Sequence, residues 1–223
     1  MTDQATKLQV VVLLSGSGSN LQAIIDNLGN MPVEICAVIS NKAGVYGLER
    51  AESAGIVTRV LDHKTFPDRD SYDQALLELV DNFNPGLVVL AGFMRILTTT
   101  FVSHFHGRMF NIHPSLLPKF RGLHTHQRAL DEHETTHGVS VHFVTEELDG
   151  GPLVAQAEVP VEADDDADKL GSRVLKREHR LYPMVIKWFA EGRLKLSGEQ
   201  LTLDGNRLTG PVIFKPNQNI LFN

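Results

Sequence analysis

Five apolar residues in succession, 10–14, precede the polar stretch Ser15-Gly-Ser-Gly-Ser-Asn20, after which Leu21, Ile24, Ile25 and Leu28 recur at helical spacing. The unbroken run predicts a strand covered on both faces, and the spacing after it predicts a helix that Gly29 stops. The cycle repeats. Residues 35–39 lead through Ser40-Asn-Lys to a helical segment ending near Gly55, and 57–61 form a third short strand. Ala75, Leu76, Leu79, Val80 and Phe83 make the buried stripe of a helix that Pro85 ends, and 87–90 and 109–112 supply two more strands. This alternation predicts an α/β fold with a doubly wound, mostly parallel, Rossmann-like sheet and right-handed crossovers. Such sheets bind ligands at the carboxyl ends of their strands, which places residues 15–20, 92–97 and 111–118 along one edge.

The rhythm changes after Gly138. Residues 139–144 and 153–161 flank Leu148-Asp-Gly-Gly-Pro152, which predicts an antiparallel strand pair in the C-terminal half, joined by a loop. Asp164-Asp-Asp166 offers N-cap carboxylates to a helix beginning near Asp168, with a kink or restart at Pro183 and an end at Gly192. Asp204-Gly205 predicts a small hairpin. The last dozen residues are expected to be loosely held.

A length of 223 residues with 42% hydrophobic content suits one domain over 1–223, with a core at about 8–195 and a hairpin and tail at 196–223. The net charge of −6 comes without any lysine or arginine run that would track a nucleic-acid backbone, so no nucleic-acid partner is expected. Neither a signal peptide nor a membrane-spanning run of about 18 apolar residues is present, so a cytoplasmic, membrane-free protein is expected. Cys36, alone in an apolar segment, reads as core filler.

Three constellations carry candidate chemistry. In Ser15–Asn20 small residues let the backbone approach an anion while the following helix aims N–H groups at it. Gly16-x-Gly18 opens a dinucleotide fingerprint whose third glycine is replaced by Leu21, so a monophosphate suits the loop better than a pyrophosphate. A plain strand-to-helix turn is the alternative. His133-Glu-Thr-Thr-His137 spells a zinc-protease motif, but two β-branched threonines and Gly138 oppose the helix that such a site needs, and no metal is expected. His104-x-His106 and His124-x-His126 read as local polar residues. Lastly, in Asn111-Ile-His-Pro-Ser-Leu-Leu-Pro118, strand alternation sends Asn111 and His113 to one side, where an amide and an imidazole can polarise a carbonyl and move a proton. Asp149 can reach the imidazole if its loop folds over this edge. On pattern alone it reads equally well as a turn aspartate.

Together, Ser15-Gly-Ser-Gly-Ser-Asn20, Ala91-Gly-Phe-Met-Arg-Ile-Leu97, Asn111-Ile-His-Pro-Ser-Leu-Leu-Pro118, Gly122-Leu-His-Thr-His126 and Glu147-Leu-Asp-Gly-Gly-Pro152 resemble the phosphoribosylglycinamide formyltransferases of the folate-dependent formyltransferase family, in order over about residues 8 to 195. The resemblance implies formyl transfer from 10-formyltetrahydrofolate, as co-substrate, to the amine of glycinamide ribonucleotide in purine synthesis, by a monomer or homodimer. It implies that Gly18, Ser19 and Asn20 hold the ribonucleotide phosphate and Glu178 its sugar. For the folate it implies Arg69, the pocket wall Met94, Arg95, Ile96 and Leu97, Asn111, and the closing loop Thr145, Glu146, Glu147, Leu148 and Asp149. Asn111, His113 and Asp149 become the catalytic set, acting on the formyl group by direct attack of the amine, without metal or covalent intermediate. Leu175, Lys176 and Arg177 depart from the family pattern, so it assigns their side chains no role.

Two relatives share this core. Methionyl-tRNA formyltransferase carries a further C-terminal nucleic-acid-binding domain and formyltetrahydrofolate deformylase an N-terminal regulatory one, and chain length argues against both. A non-enzymatic nucleotide-binding regulator needs no Asn111, His113 and Asp149 in this arrangement.

Overall fold

The computed structural model describes residues 7–198 and 200–222. The chain divides into two compact units at Phe110/Asn111. The first contains β1 (Leu8–Leu14), α1 (Ser19–Asn27), β2 (Val33–Ser40), α2 (Tyr46–Ser53), β3 (Thr58–Val60), α3 (Arg69–Asp81), β4 (Leu87–Leu90) and α4 (Thr99–His104). Its strands lie in the order β4-β1-β2-β3 and all pair in parallel. Val10, Val11, Val12, Leu13 and Leu14 have no exposed surface, as the unbroken apolar run requires of a strand covered on both faces. Burying each such side chain contributes about 1.5–3 kcal/mol.

Two details of this unit differ from the pattern-based expectation. The helix α1 ends at Asn27 and passes into a 3-10 turn, Leu28–Asn30, rather than continuing to Gly29. In α3 the buried face is Tyr72, Asp73, Leu76 and Val80, whereas Phe83 lies beyond the helix end. The cap sets this register: Asp68 accepts a hydrogen bond from Ser71 N at 2.8 Å and starts the helix well before the apolar stripe. The short helix α4, begun by the Thr98 cap, carries too few residues to show a periodic signal.

The strand β5 (Met109–His113) runs across the division into the second unit, which continues with α5 (Thr125–Asp131), β6 (Thr136–Phe143), β7 (Leu153–Pro160), α6 (Ala167–Ala190), β8 (Leu194–Ser197), β9 (Gln200–Leu203), β10 (Asn206–Arg207) and β11 (Val212–Phe214). The strand order here is β11-β7-β6-β5, with β6 and β7 antiparallel as expected and β11 parallel to β7. A separate small antiparallel sheet has the order β10-β9-β8. Asp204 and Gly205 both take positive φ, 53° and 78°, as a two-residue hairpin turn demands.

Three expectations for this unit are corrected. The helix α6 starts from the Asp166 cap and is continuous from Ala167 to Ala190 with Pro183 inside it, which overturns the restart alternative. A proline in a helix interior costs about 3 kcal/mol; here Leu181, Tyr182, Pro183, Met184, Val185 and Ile186 are all buried, and that burial outweighs the lost rung. The strand β6 begins at Thr136, three residues earlier than the apolar run, because Thr136, His137 and Gly138 pair with Pro160, Val159 and Glu158. The tail is not loose: Val212, Ile213 and Phe214 pair with β7, and Ile220 is buried. Arg177 donates to the carbonyls of Phe214, Lys215 and Gln218 at 3.2, 3.0 and 2.8 Å, which gives one of the residues outside the family pattern a definite task.

Candidate active site

In the first unit, Ser15, Gly16, Ser17, Gly18, Ser19 and Asn20 line a concavity together with Ala91, Gly92 and Met94. Gly18 caps α1 with φ 69°, a conformation that L side chains resist, and a Cβ there would lie 2.5 Å from the Gly47 backbone. The first turn of α1 holds no acidic residue, and the N-terminal end of a helix carries the positive end of its dipole. Met94 and Ile96 are exposed at 64% and 56%, an unusual degree for large apolar side chains. Leu97 is half-buried, and Arg69 is exposed at the start of α3. The Arg95 guanidinium stacks 4.6 Å over the Tyr72 ring.

In the second unit the structure brings Asn111, His113 and Asp149 together. Period-two alternation on β5 puts the first two on one side, and the 145–151 loop delivers the third. That loop closes tightly: a Cβ on Gly151 would overlap the Phe143 carbonyl oxygen at 1.9 Å, so only glycine allows this approach. Asp149 sits at φ 50° with its side chain turned inward. Its Oδ2 accepts from Gly122 N at 2.9 Å and lies 3.4 Å from His113 Nδ1, while Oδ1 is 3.5 Å from Asn111 Nδ2. The other ring nitrogen of His113, Nε2, faces the Phe120 carbonyl at 2.9 Å. Both imidazole nitrogens therefore face acceptor oxygens, Nε2 within hydrogen-bond distance of a carbonyl and Nδ1 at ion-pair distance from a carboxylate.

Sequence reasoning missed His142. It is 2% exposed, and its Nδ1 lies 2.8 Å from the Phe143 carbonyl. Burial lowers its pKa first of all, against a raising influence of that carbonyl and of Asp149. A neutral ring that donates from Nδ1 has a lone pair on Nε2, and this accepts from Asn111 Nδ2 at 3.1 Å. The signal was a polar residue inside the apolar strand 139–144, in phase with Gly138 and Ser140. Backbone groups of Phe120 and Gly122 carry no sequence signal at all.

The remaining candidates of this unit divide. Thr145 is half-buried and Glu146, Glu147 and Leu148 are exposed, with Glu147 ion-paired to Arg121. Glu178 is buried on α6. The His133-Glu-Thr-Thr-His137 motif is not helical: His133 has φ 54° and His137 lies on β6, where its Nε2 meets His126 Nδ1 at 3.1 Å. Burial, reinforced by His126, pushes His137 down to about 4.

The sequence profile of the formyl transferase family matches residues 8–186. The chain belongs to the formyl transferase family. It is 55% identical over 203 residues to phosphoribosylglycinamide formyltransferase of Escherichia coli strain K12, a match covering 90% of this chain and 96% of that one. A protein of the same name from Haemophilus influenzae is 46% identical over 202 residues, covering 90% and 95%. Among solved structures, phosphoribosylglycinamide formyltransferase from Coxiella burnetii superposes with a TM-score of 0.90 at 50% identity, covering 93% of this chain and 99% of that one. A formyl transferase fold, with a mostly parallel sheet and a small separate antiparallel sheet, is thus established for this chain. No helix among the described residues is long and apolar enough to cross a membrane.

Proposed function

We propose that this formyl transferase moves the formyl group of 10-formyltetrahydrofolate to the amine of glycinamide ribonucleotide, giving formylglycinamide ribonucleotide and tetrahydrofolate. The observation that carries the chemistry is the convergence of Asn111, His113 and Asp149. The amine nitrogen attacks the formyl carbon, and the carbonyl oxygen takes the charge of the tetrahedral intermediate. One Asn111 N–H is committed to His142 and the other makes only the 3.5 Å contact with Asp149. That second N–H is the donor for the oxyanion, assisted by His113. Collapse breaks the bond to the folate nitrogen, which takes a proton from His113 directly or through water, and the proton that the attacking amine gives up passes back to His113, so the ring ends as it began. Asp149 holds the imidazolium.

Gly18, Ser19 and Asn20 take the phosphate and Glu178 the ribose in this reading. Met94, Ile96, Leu97 and Leu148 give the folate apolar walls, with Arg69, Arg95, Thr145, Glu146, Glu147 and Asn111 as its polar contacts. The substrates are small molecules in the cytoplasm, and the working form is a monomer or homodimer. Incubation of the purified chain with both substrates tests this. Stoichiometric formylglycinamide ribonucleotide and tetrahydrofolate are expected; formate release without the ribonucleotide, or formylation of methionyl-tRNA instead, would replace the reading with that of a deformylase or a tRNA formyltransferase.

A further inference from the structure

The loop 15–20 and the loop 91–97, assigned above to different substrates, are tied by one buried hydroxyl. Ser15 Oγ donates to Asn41 Oδ1 at 2.6 Å. Because that oxygen can only accept, the single proton of the hydroxyl points at Asn41, and the Ser15 oxygen is left to accept from Met94 N at 2.8 Å. Ser15 N in turn donates to the Gly92 carbonyl at 3.0 Å. Asn41 is itself held from the far side. His63 Nδ1 lies 3.3 Å from Asn41 Nδ2 and 3.1 Å from the Asn41 carbonyl oxygen, so the ring engages Asn41 in either tautomer. Ser15 and Asn41 are 6% and 1% exposed, and water therefore cannot replace a lost partner cheaply. The concavity lined by Ser15 to Asn20 is lined by Ala91, Gly92 and Met94 as well.

We propose that the Ser15 hydroxyl, oriented by Asn41, is a positioning group that sets the ribonucleotide loop and the folate loop together, so that neither substrate site is fully formed without the other. This rests on the assignment of the two loops to the two substrates. The chain Met94 N–H to Ser15 O–H to Asn41 runs in one direction, and each bond polarises the next. Loosening it frees both loops at once, and Ser15 and Asn41 lie outside the proposed catalytic set of Asn111, His113 and Asp149.

The test is initial-rate kinetics over a grid of both substrates for the wild type, Ser15→Ala, Asn41→Ala and Ser15→Thr. In Ser15→Ala and Asn41→Ala both KM values should rise about tenfold, the usual effect of stranding buried hydrogen-bonding groups, with kcat at saturation within about twofold. Ser15→Thr, which keeps the hydroxyl, should recover most of the affinity. In the wild type each KM should fall as the other substrate is raised, and this mutual dependence should vanish in Ser15→Ala. A rise in only one KM, or in neither, would overturn the proposal, as would a drop in kcat with both KM values unchanged. Amide exchange without substrate supplies a readout independent of turnover. Faster exchange in Ser15→Ala is expected at both 16–19 and 92–95, and faster exchange in only one loop counts against the link. A wild type that fails to turn over this substrate pair yet shows the paired exchange change would remove the substrate assignment and leave the mechanical link standing.

Discussion

The side-chain amide of Asn111 is held by His142: Nδ2 lies 3.1 Å from Nε2 of a buried imidazole whose other nitrogen is engaged by the Phe143 carbonyl. The amide of the residue proposed to stabilise the oxyanion is thereby fixed in one orientation before substrate arrives.

His142→Phe keeps a ring of similar shape and removes the acceptor. We expect kcat to fall about tenfold, the value of one such hydrogen bond, with both KM values near wild type. Steady-state kinetics checks this, and an unchanged kcat would mean that Asn111 is oriented by other contacts.

His113 and Asp149 should behave as one unit. His113→Ala is expected to cost at least about 100-fold in turnover, since it removes an oxyanion donor and the proton source together. Asp149→Asn keeps the shape but loses the charge that lies 3.4 Å from Nδ1. The double mutant should be far less impaired than the product of the two single effects. Multiplicative losses in a double-mutant cycle would leave Asp149 as a loop-shaping residue only.

Gly18→Ala tests the ribonucleotide loop. The residue must hold φ 69°, and its Cβ would meet the Gly47 backbone at 2.5 Å, so the loop must shift. Left-handed backbone alone costs about 1–2 kcal/mol. The KM for glycinamide ribonucleotide should rise about tenfold or more while that for the folate changes less; the reverse pattern would place the phosphate elsewhere.

His137 makes stability depend on pH. Its folded-state value is pushed down to about 4 from an ordinary 6.5, so the unfolded chain takes up a proton in the interval where the folded chain does not. The contribution is fully present above pH 6.5 and is lost as pH falls toward 4, by about 3 kcal/mol over the whole window. Denaturant unfolding between pH 7 and 4 should show a shallower loss in His137→Gln than in the wild type. Parallel curves would assign the acid sensitivity to other groups.

Much of this protein was legible in the chain alone, because the relevant patterns are local. An apolar run at 10–14 ahead of a glycine-rich turn is the pattern of a strand covered on both faces, Asp204-Gly205 supplies the two positive φ angles of a hairpin, and period two places Asn111 and His113 on one side. What tertiary structure decided depends on partners distant in sequence. Pro183 stays inside a helix because the burial around it exceeds the cost of the lost rung, and no helix propensity records that balance. The tail is ordered by pairing with β7 and by Arg177, neither of which is its sequence neighbour. His142 meets Asn111 through strand register, and Asp149 reaches His113 only because Gly151 lets the loop close onto the Phe143 carbonyl. Side-chain direction along one strand is a property of the backbone period; which side chain it meets is set by packing of the whole sheet and its loops, and no local pattern contains it.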